Sequence, residues 1–199
     1  GTAMKMLHLR RIIPALLLLL VLIFVASVPP QVDAQFAQIP LTLGWSALHG
    51  QPTRAVAWGD MDGDGDLDLA VGNNGAPVWV YQNSNGVLGI LPIWSAPSTM
   101  NTHSLAWGDV DGDGDLDLAV GNKNAPSLLF LNIGGQLGNR PAWSTTLTDP
   151  TQSLAWGDVD NDSDLDLVVG NDNQPLRIYH NTGGTLETSP SWSSSSTDD

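Results

Sequence analysis

Three stretches of nine residues hold most of the acid in this sequence. Asp60, Asp62, Asp64, Asp66 and Asp68 alternate with single residues. The same spacing returns at Asp109, Asp111, Asp113, Asp115 and Asp117, and again at Asp158, Asp160, Asp162, Asp164 and Asp166. Of the 21 acidic residues, only Asp33, Asp149, Asp172, Glu187, Asp198 and Asp199 lie elsewhere. A solvated acidic surface spreads its carboxylates, whereas five packed this closely repel one another unless a cation sits among them. Counted from its first aspartate, each loop has carboxylates at positions 1, 3, 5 and 9, and the first two loops have Gly65 and Gly114 at position 6.

That pattern suits a hard divalent cation. Ca²⁺ takes about six to eight oxygens at roughly 2.3–2.6 Å, and a tight loop of alternating residues turns its side chains inward to supply them. Glycine at position 6 permits the sharp turn. The third loop has Ser163 there, at a cost of roughly 1 kcal/mol in a left-handed conformation, so its site is expected to be the weakest. Position 7 is expected to offer its backbone carbonyl, which makes Asp66, Asp115 and Asp164 main-chain ligands. Magnesium prefers a stricter octahedron with more water, and zinc prefers His or Cys. The reading is one Ca²⁺ per loop, three in all.

The elements around the loops repeat with them. Trp45, Trp94, Trp143 and Trp192 are 49 residues apart, and Trp58, Trp107 and Trp156 follow with the same period. No insertion or deletion separates the copies TRAVAWGDMDGDGDLDLAVGN, THSLAWGDVDGDGDLDLAVGN and TQSLAWGDVDNDSDLDLVVGN. Within the second copy, Ser104–Trp107 reads as a short strand entering the loop. Leu116, Leu118 and Val120 alternate with Asp117, Ala119 and Gly121 as a strand leaving it. Turn residues at 122–126 precede a third strand over Ser127–Leu131, equivalent to Val78–Tyr81 and Leu176–Tyr179. These third strands are apolar at nearly every position and are expected to be covered on both faces. A fourth, outer strand is expected to include Trp143. Four short strands in a unit of this length match a β-propeller blade, which buries its faces by stacking on its neighbours. The fold class is therefore all-β, a partial propeller of about three four-stranded blades. Its domains are read as repeats at 45–93, 94–142 and 143–191, the start of a truncated fourth at 192–199, and a linker at 35–44.

Residues 1–34 read as a signal peptide: Lys5, His8, Arg10 and Arg11 precede an apolar run from Ile12 to Val28, and Val32 and Ala34 form a −3/−1 pair for cleavage after Ala34. The alternative is an uncleaved N-terminal anchor, and either way the remainder is exported, to be secreted or held at the cell surface. There is no cysteine, so stability outside the cell must come from packing and metal. The formal net charge is −14, and only Arg54, Lys123, Arg140 and Arg177 are basic after the leader, which excludes nucleic acid as a partner.

The aspartate loop has lookalikes. EF-hands and dockerins carry a bidentate acid at position 12 between helices. Here position 12 is Val71, Val120 or Val169, inside a strand. With these residues in view, the chain resembles the FG-GAP or VCBS repeat family, the blade type of integrin α-subunit propellers and many bacterial surface proteins. The resemblance covers about residues 45–199. The family's D-x-D-x-D-G-x-x-D loop falls on Asp60, Asp62, Asp64 and Asp68 and on Asp109, Asp111, Asp113 and Asp117. It falls on Asp158, Asp160, Asp162 and Asp166 with Ser163 as the departure. What it implies is a propeller with Ca²⁺ in loops that rigidify each blade, and a role in adhesion or recognition.

Three repeats do not close a propeller, which typically needs about four to eight blades. The expectation is a fragment of a longer protein, with two chains joining into a six-bladed ring, or an open fan whose end blades are capped, as the alternatives. As to activity, His49, His103 and His180 occupy non-equivalent repeat positions, and the carboxylates are assigned to metal. A catalytic pair of acid and base, or a nucleophile with its base, does not emerge. The reading is a non-catalytic module that binds a protein or a glycan. The alternative is a fragment of a propeller-scaffold polysaccharide lyase or hydrolase whose catalytic residues lie outside this segment. Trp58, Trp107 and Trp156 are read as packing between blades. Trp45, Trp94, Trp143 and Trp192 are read as the same, or as platforms for sugar.

Overall fold

A computed structural model describes residues 45–195. The signal or anchor at 1–34, the linker at 35–44 and residues 196–199 lie outside the described residues. The described region is all-β and consists of three successive antiparallel blades. Blade 1 contains β1 (Thr53–Gly59), β2 (Asp68–Ala76), β3 (Trp79–Tyr81), a two-stranded hairpin of β4 (Asn83–Ser84) and β5 (Val87–Leu88), and β6 (Trp94–Ser95). Blade 2 contains β7 (Met100–Gly108), β8 (Asp117–Asn122), β9 (Leu128–Phe130) and β10 (Trp143–Ser144). Blade 3 contains β11 (Thr151–Gly157), β12 (Asp166–Asn171), β13 (Arg177–Tyr179) and β14 (Trp192–Ser193).

Pairing follows chain order in each blade, β1–β2–β3–β6, β7–β8–β9–β10 and β11–β12–β13–β14. The start of β7 also pairs with β2, Asn74 opposite Asn101 and Ala76 opposite Met100, which joins the first two blades through main-chain bonds. The first strand of every blade slips register at one place, between Thr53 and Ala55, Thr102 and Ser104, or Thr151 and Ser153. Such bulges add local twist.

The structural blade is offset from the repeat counted from Trp45. Trp94, Trp143 and Trp192 pair with Val80, Leu129 and Ile178, so each completes the sheet before it. Trp192 thus lies in the outer strand of blade 3.

Alternation along the second and third strands sends side chains toward both neighbours, which is why their central positions are apolar. We call the side of a blade that faces the preceding one leading, and the opposite side trailing. Ala70 and Val80 on the trailing side of blade 1 meet Leu118, Val120 and Phe130 on the leading side of blade 2, all buried. Ala119 and Leu129 meet Leu167, Val169 and Tyr179 in the same way one junction later. Two core layers are thus sandwiched between blades, and a third cluster, Leu69, Val71 and Tyr81 on the leading side of blade 1, is packed against Ala47, Trp79 and Leu88.

Candidate metal centres

Each aspartate loop bridges the first and second strands of its blade and is shaped by two left-handed residues. Position 6 has φ of 94° at Gly65, 96° at Gly114 and 78° at Ser163. Position 4 is left-handed as well, with Gly63 at 73°, Gly112 at 75° and Asn161 at 63°. The third loop thus places two side chains where the others have glycine. Asparagine tolerates this conformation better than serine does.

The position-1 aspartate is a hub for the turn. Oδ2 of Asp60 accepts the Gly65 amide at 2.9 Å and Oδ1 the Asp64 amide at 3.1 Å. Asp109 accepts from Gly112 and Gly114, and Asp158 from Asn161, Asp162 and Ser163. Asp62, Asp111 and Asp160 each accept the amide two residues on at 3.3 Å. The position-9 aspartates, Asp68, Asp117 and Asp166, are fully buried. Each accepts two backbone amides, one from position 2 of its own loop and one from the hairpin beyond the third strand. For Asp117 these are Val110 at 2.9 Å and Asn132 at 2.8 Å. For Asp68 they are Met61 and Asn83, and for Asp166 Val159 and Asn181.

Folding brings three groups of carboxylates together: Asp60, Asp62 and Asp68; Asp109, Asp111 and Asp117; Asp158, Asp160 and Asp166. In each group one oxygen per residue lies within 4.8 Å of the others. Asp64, Asp113 and Asp162, expected as further side-chain ligands, fall outside these groups and accept the amides of Asp66, Asp115 and Asp164. The position-7 side chains point elsewhere: Oδ2 of Asp66, Asp115 and Asp164 accepts the amides of Asn85, Gly134 and Gly183 in the hairpin turn. That use of the side chain leaves the main-chain carbonyl as the group position 7 can offer.

Electrostatics show what the clusters lack. Burial pushes the Asp117 carboxyl up to about 6, against the pull of the Asn132 and Val110 amides, and the charges of Asp111 and Asp113 push it the same way. Asp68 is raised for the same first reason, and Asp111 by burial and then by Asp113. A carboxylate at such depth without a countercharge favours its proton. The donors are all hard oxygens with lone pairs to spare beside their amide bonds. They fit a divalent cation of the calcium type, and each repeat contains one triad that could hold it.

Some contributors were not read from the sequence. Nδ2 of Asn132 donates to the Met61 carbonyl at 2.7 Å and to Leu116 at 3.1 Å. Nδ2 of Asn181 does the same with Val110 at 2.8 Å and Leu165 at 3.2 Å. Each therefore clamps position 2 of the preceding blade's loop to the next blade. A Cβ on Gly135 would come within 3.0 Å of Asp62 Cα, and one on Gly184 within 2.9 Å of Asp111 Cα. In the first loop alone, Gln82 Nε2 also donates to Asp62 Oδ2 at 2.6 Å. The 49-residue recurrence of Asn83, Asn132 and Asn181 was the available signal.

The loops, the blades and their register agree with what the comparisons return. The model of the FG-GAP-like repeat matches residues 60–120 and, overlapping, 109–169. The chain belongs to the FG-GAP-like repeat family. No curated protein matches the sequence. Among solved structures, BBS1N in complex with ARL6DN, soaked with lead, is similar with a TM-score of 0.50 at 14% identity over 71% of this chain and 45% of that one. The same complex soaked with mercury gives 0.50 and 14% over 70% and 44%. The chain thus spans less than half of the structures it resembles, and at this identity the likeness concerns the fold alone. In the FG-GAP-like repeats of this chain, the second aspartate loop lies in both matched windows, toward the end of the first and at the start of the second.

Proposed function

We propose that the chain is an exported calcium-binding repeat module that presents a surface for adhesion, to a protein or a glycan, without catalysis of its own. One observation carries the reading: three carboxylate triads, one per repeat, each with one fully buried aspartate, the first two on loops that are clamped to the following blade. In this reading the Asp60, Asp109 and Asp158 triads hold Ca²⁺, with Asp64, Asp113 and Asp162 turning inward when the ion is present. The carbonyls of Asp66, Asp115 and Asp164 complete the shell. The ion supplies the charge that Asp117 and Asp68 lack, so filling a loop firms the face against which the next blade packs.

Export is supported by the leader-like residues 5–34, and the absence of a nucleic-acid role by the net charge of −14. Lack of catalysis is supported by the histidines: His49 lies tilted on Trp79, and His103 is bonded to Gln152 of the next blade. The test is a thermal melt with calcium, with magnesium and after chelation, followed by a glycan and protein array under the same conditions. A rise in melting temperature with calcium, together with ligand capture that chelation abolishes, is the expected result. Melting indifferent to calcium would remove the basis of the proposal.

A further inference from the structure

Position 7 of each loop has a carboxylate that its own cation site leaves unused. Asp66, Asp115 and Asp164 have a main-chain carbonyl to offer an ion, and any residue would supply that, so the ion does not explain an aspartate there. One more acid in a crowded loop also adds repulsion. Its return at all three positions calls for another partner.

That partner is the tip of the hairpin beyond the third strand. In blade 2 the tip is a two-residue turn, with Gly134 at a φ of 62° and Gly135 at 79°, closed by the Ile133 amide donating to the Gln136 carbonyl at 3.1 Å. Oδ2 of Asp115 accepts the Gly134 amide at 2.5 Å, a charge-assisted bond. A Cβ on Gly134 would meet nothing within 4 Å. The three atoms nearest to one on Gly135 all belong to Asp62: Cα at 3.0 Å, Cβ at 3.1 Å and the carbonyl oxygen at 3.5 Å. One side of the tip is thus tied to loop 2, and the other rests on loop 1. Blade 3 repeats the arrangement. Asp164 accepts the Gly183 amide at 2.6 Å, and a Cβ on Gly184 would meet Cα and Cβ of Asp111, both at 2.9 Å.

The residues under the tips belong to the triads: Asp62 is the position-3 member of the first, and Asp111 of the second. Each hairpin also holds position 2, because Asn132 reaches the Met61 carbonyl and Asn181 the Val110 carbonyl. Asp117 and Asp166 in turn accept the main-chain amides of those two asparagines. Positions 7 and 9 of one loop therefore grip a hairpin, and that hairpin grips positions 2 and 3 of the loop one blade back.

We propose that the side chains of Asp115 and Asp164 are positioning residues for the cation of the preceding blade, Asp115 for the site of Asp62 and Asp164 for the site of Asp111. The proposal rests on the reading of the triads as cation sites. Each carboxylate sets where a hairpin tip lies, and the tip is packed on the main chain of a ligand in the neighbouring blade. Removing the carboxylate loosens that ligand, while the loop that carries the substitution keeps its own carbonyl.

The test isolates single sites in the full-length chain. Asp111→Asn with Asp160→Asn leaves loop 1 as the intact site, and Asp62→Asn with Asp160→Asn leaves loop 2. Asparagine keeps an oxygen for the amide two residues on, which these aspartates accept. Calcium affinity is measured by titration calorimetry before and after adding Asp115→Ala or Asp164→Ala, with melting curves to establish that each chain is folded. Asp115→Ala is expected to weaken loop 1 by about fivefold or more, and Asp164→Ala to weaken loop 2 by a similar factor. Asp115→Asn still offers the Gly134 amide an oxygen and is expected to recover most of the loop 1 affinity. A second readout needs no cation. In metal-free protein, Asp115→Ala should quicken hydrogen exchange at Gly134 and at the Asp64 amide, which Asp60 and Asp62 accept in loop 1. Affinity lost only in the loop that carries the substitution, or exchange at Asp64 that Asp115→Ala leaves unchanged, would overturn the proposal. Parent chains that take up no calcium would overturn the cation reading and this proposal with it, whereas uptake indifferent to Asp115→Ala would overturn the proposal alone.

Discussion

Consider two melting series from about pH 7 to about pH 4, one in calcium and one in buffer stripped of divalent ions by chelating resin. The group that decides the outcome is Asp117, fully buried and raised from 3.8 to about 6. Its carboxyl binds a proton more tightly in the folded chain than in the unfolded one. Between those two values the folded state carries more protons, so the stabilisation is present in full below the lower value and is lost as pH rises through the upper one. The shift corresponds to at most about 3 kcal/mol at roughly 1.4 kcal/mol per unit. For a domain of this size that is a ceiling of about 6–12 °C in melting temperature. Asp68 acts in the same direction. Without metal, acidification is therefore expected to raise the melting temperature. With calcium the sign reverses, because the ion needs ionised carboxylates and protons compete with it. Asp117→Asn should flatten the metal-free curve whatever it does to the absolute stability. Two curves with the same slope would refute the assignment of Asp117 to an uncompensated site that a cation fills.

Other expectations follow from the loop geometry and the clamps. Exchanging the position-6 residues tests the strain at Ser163: Gly114→Ser should cost about 1 kcal/mol. Ser163→Gly should gain less, about 0–1 kcal/mol, because glycine gives back part of the benefit as unfolded-chain entropy; both are read by calorimetry. Asn132→Ala leaves the Met61 and Leu116 carbonyls without their buried donor and should cost about 2–4 kcal/mol by denaturant unfolding. Gly184→Ala drives a Cβ to 2.9 Å from Asp111 Cα at a φ of +80° and should destabilise by about 1–3 kcal/mol. It should weaken cation uptake by the second loop while sparing the third. Asp113→Ala should lower the melting temperature in calcium and leave it nearly unchanged after chelation, and equal losses would show that Asp113 is no ligand.

Much of this was legible because the repeat is written without gaps. Period, strand order and the loop carboxylates are all local, and alternation of Leu118 and Val120 with Asp117 and Ala119 marks a strand wherever it sits. The left-handed turn at Ser163 was also legible, since Gly65 and Gly114 mark its equivalents. Asn161 at position 4 was missed because asparagine adopts that conformation with little penalty and stands out less. What could not be read lies between blades. The reach of Asn132 to Met61 spans 71 residues, and the seating of Gly135 on Asp62 depends on how two sheets stack. The side chain of Asp115 looked like one more acid in the row until the hairpin at Gly134 folded over to meet it. Blade phase was hidden for a similar reason: Trp143 is the start of a repeat by spacing and the end of a sheet by hydrogen bonding.

Isothermal titration of calcium into the folded chain addresses the three triads directly. The expected result is heat with three ions bound per chain, reduced to two by Asp109→Asn, with Asp158→Asn removing the weakest site. A titration without heat, on protein whose melting is the same before and after chelation, would contradict the reading of these loops as metal centres.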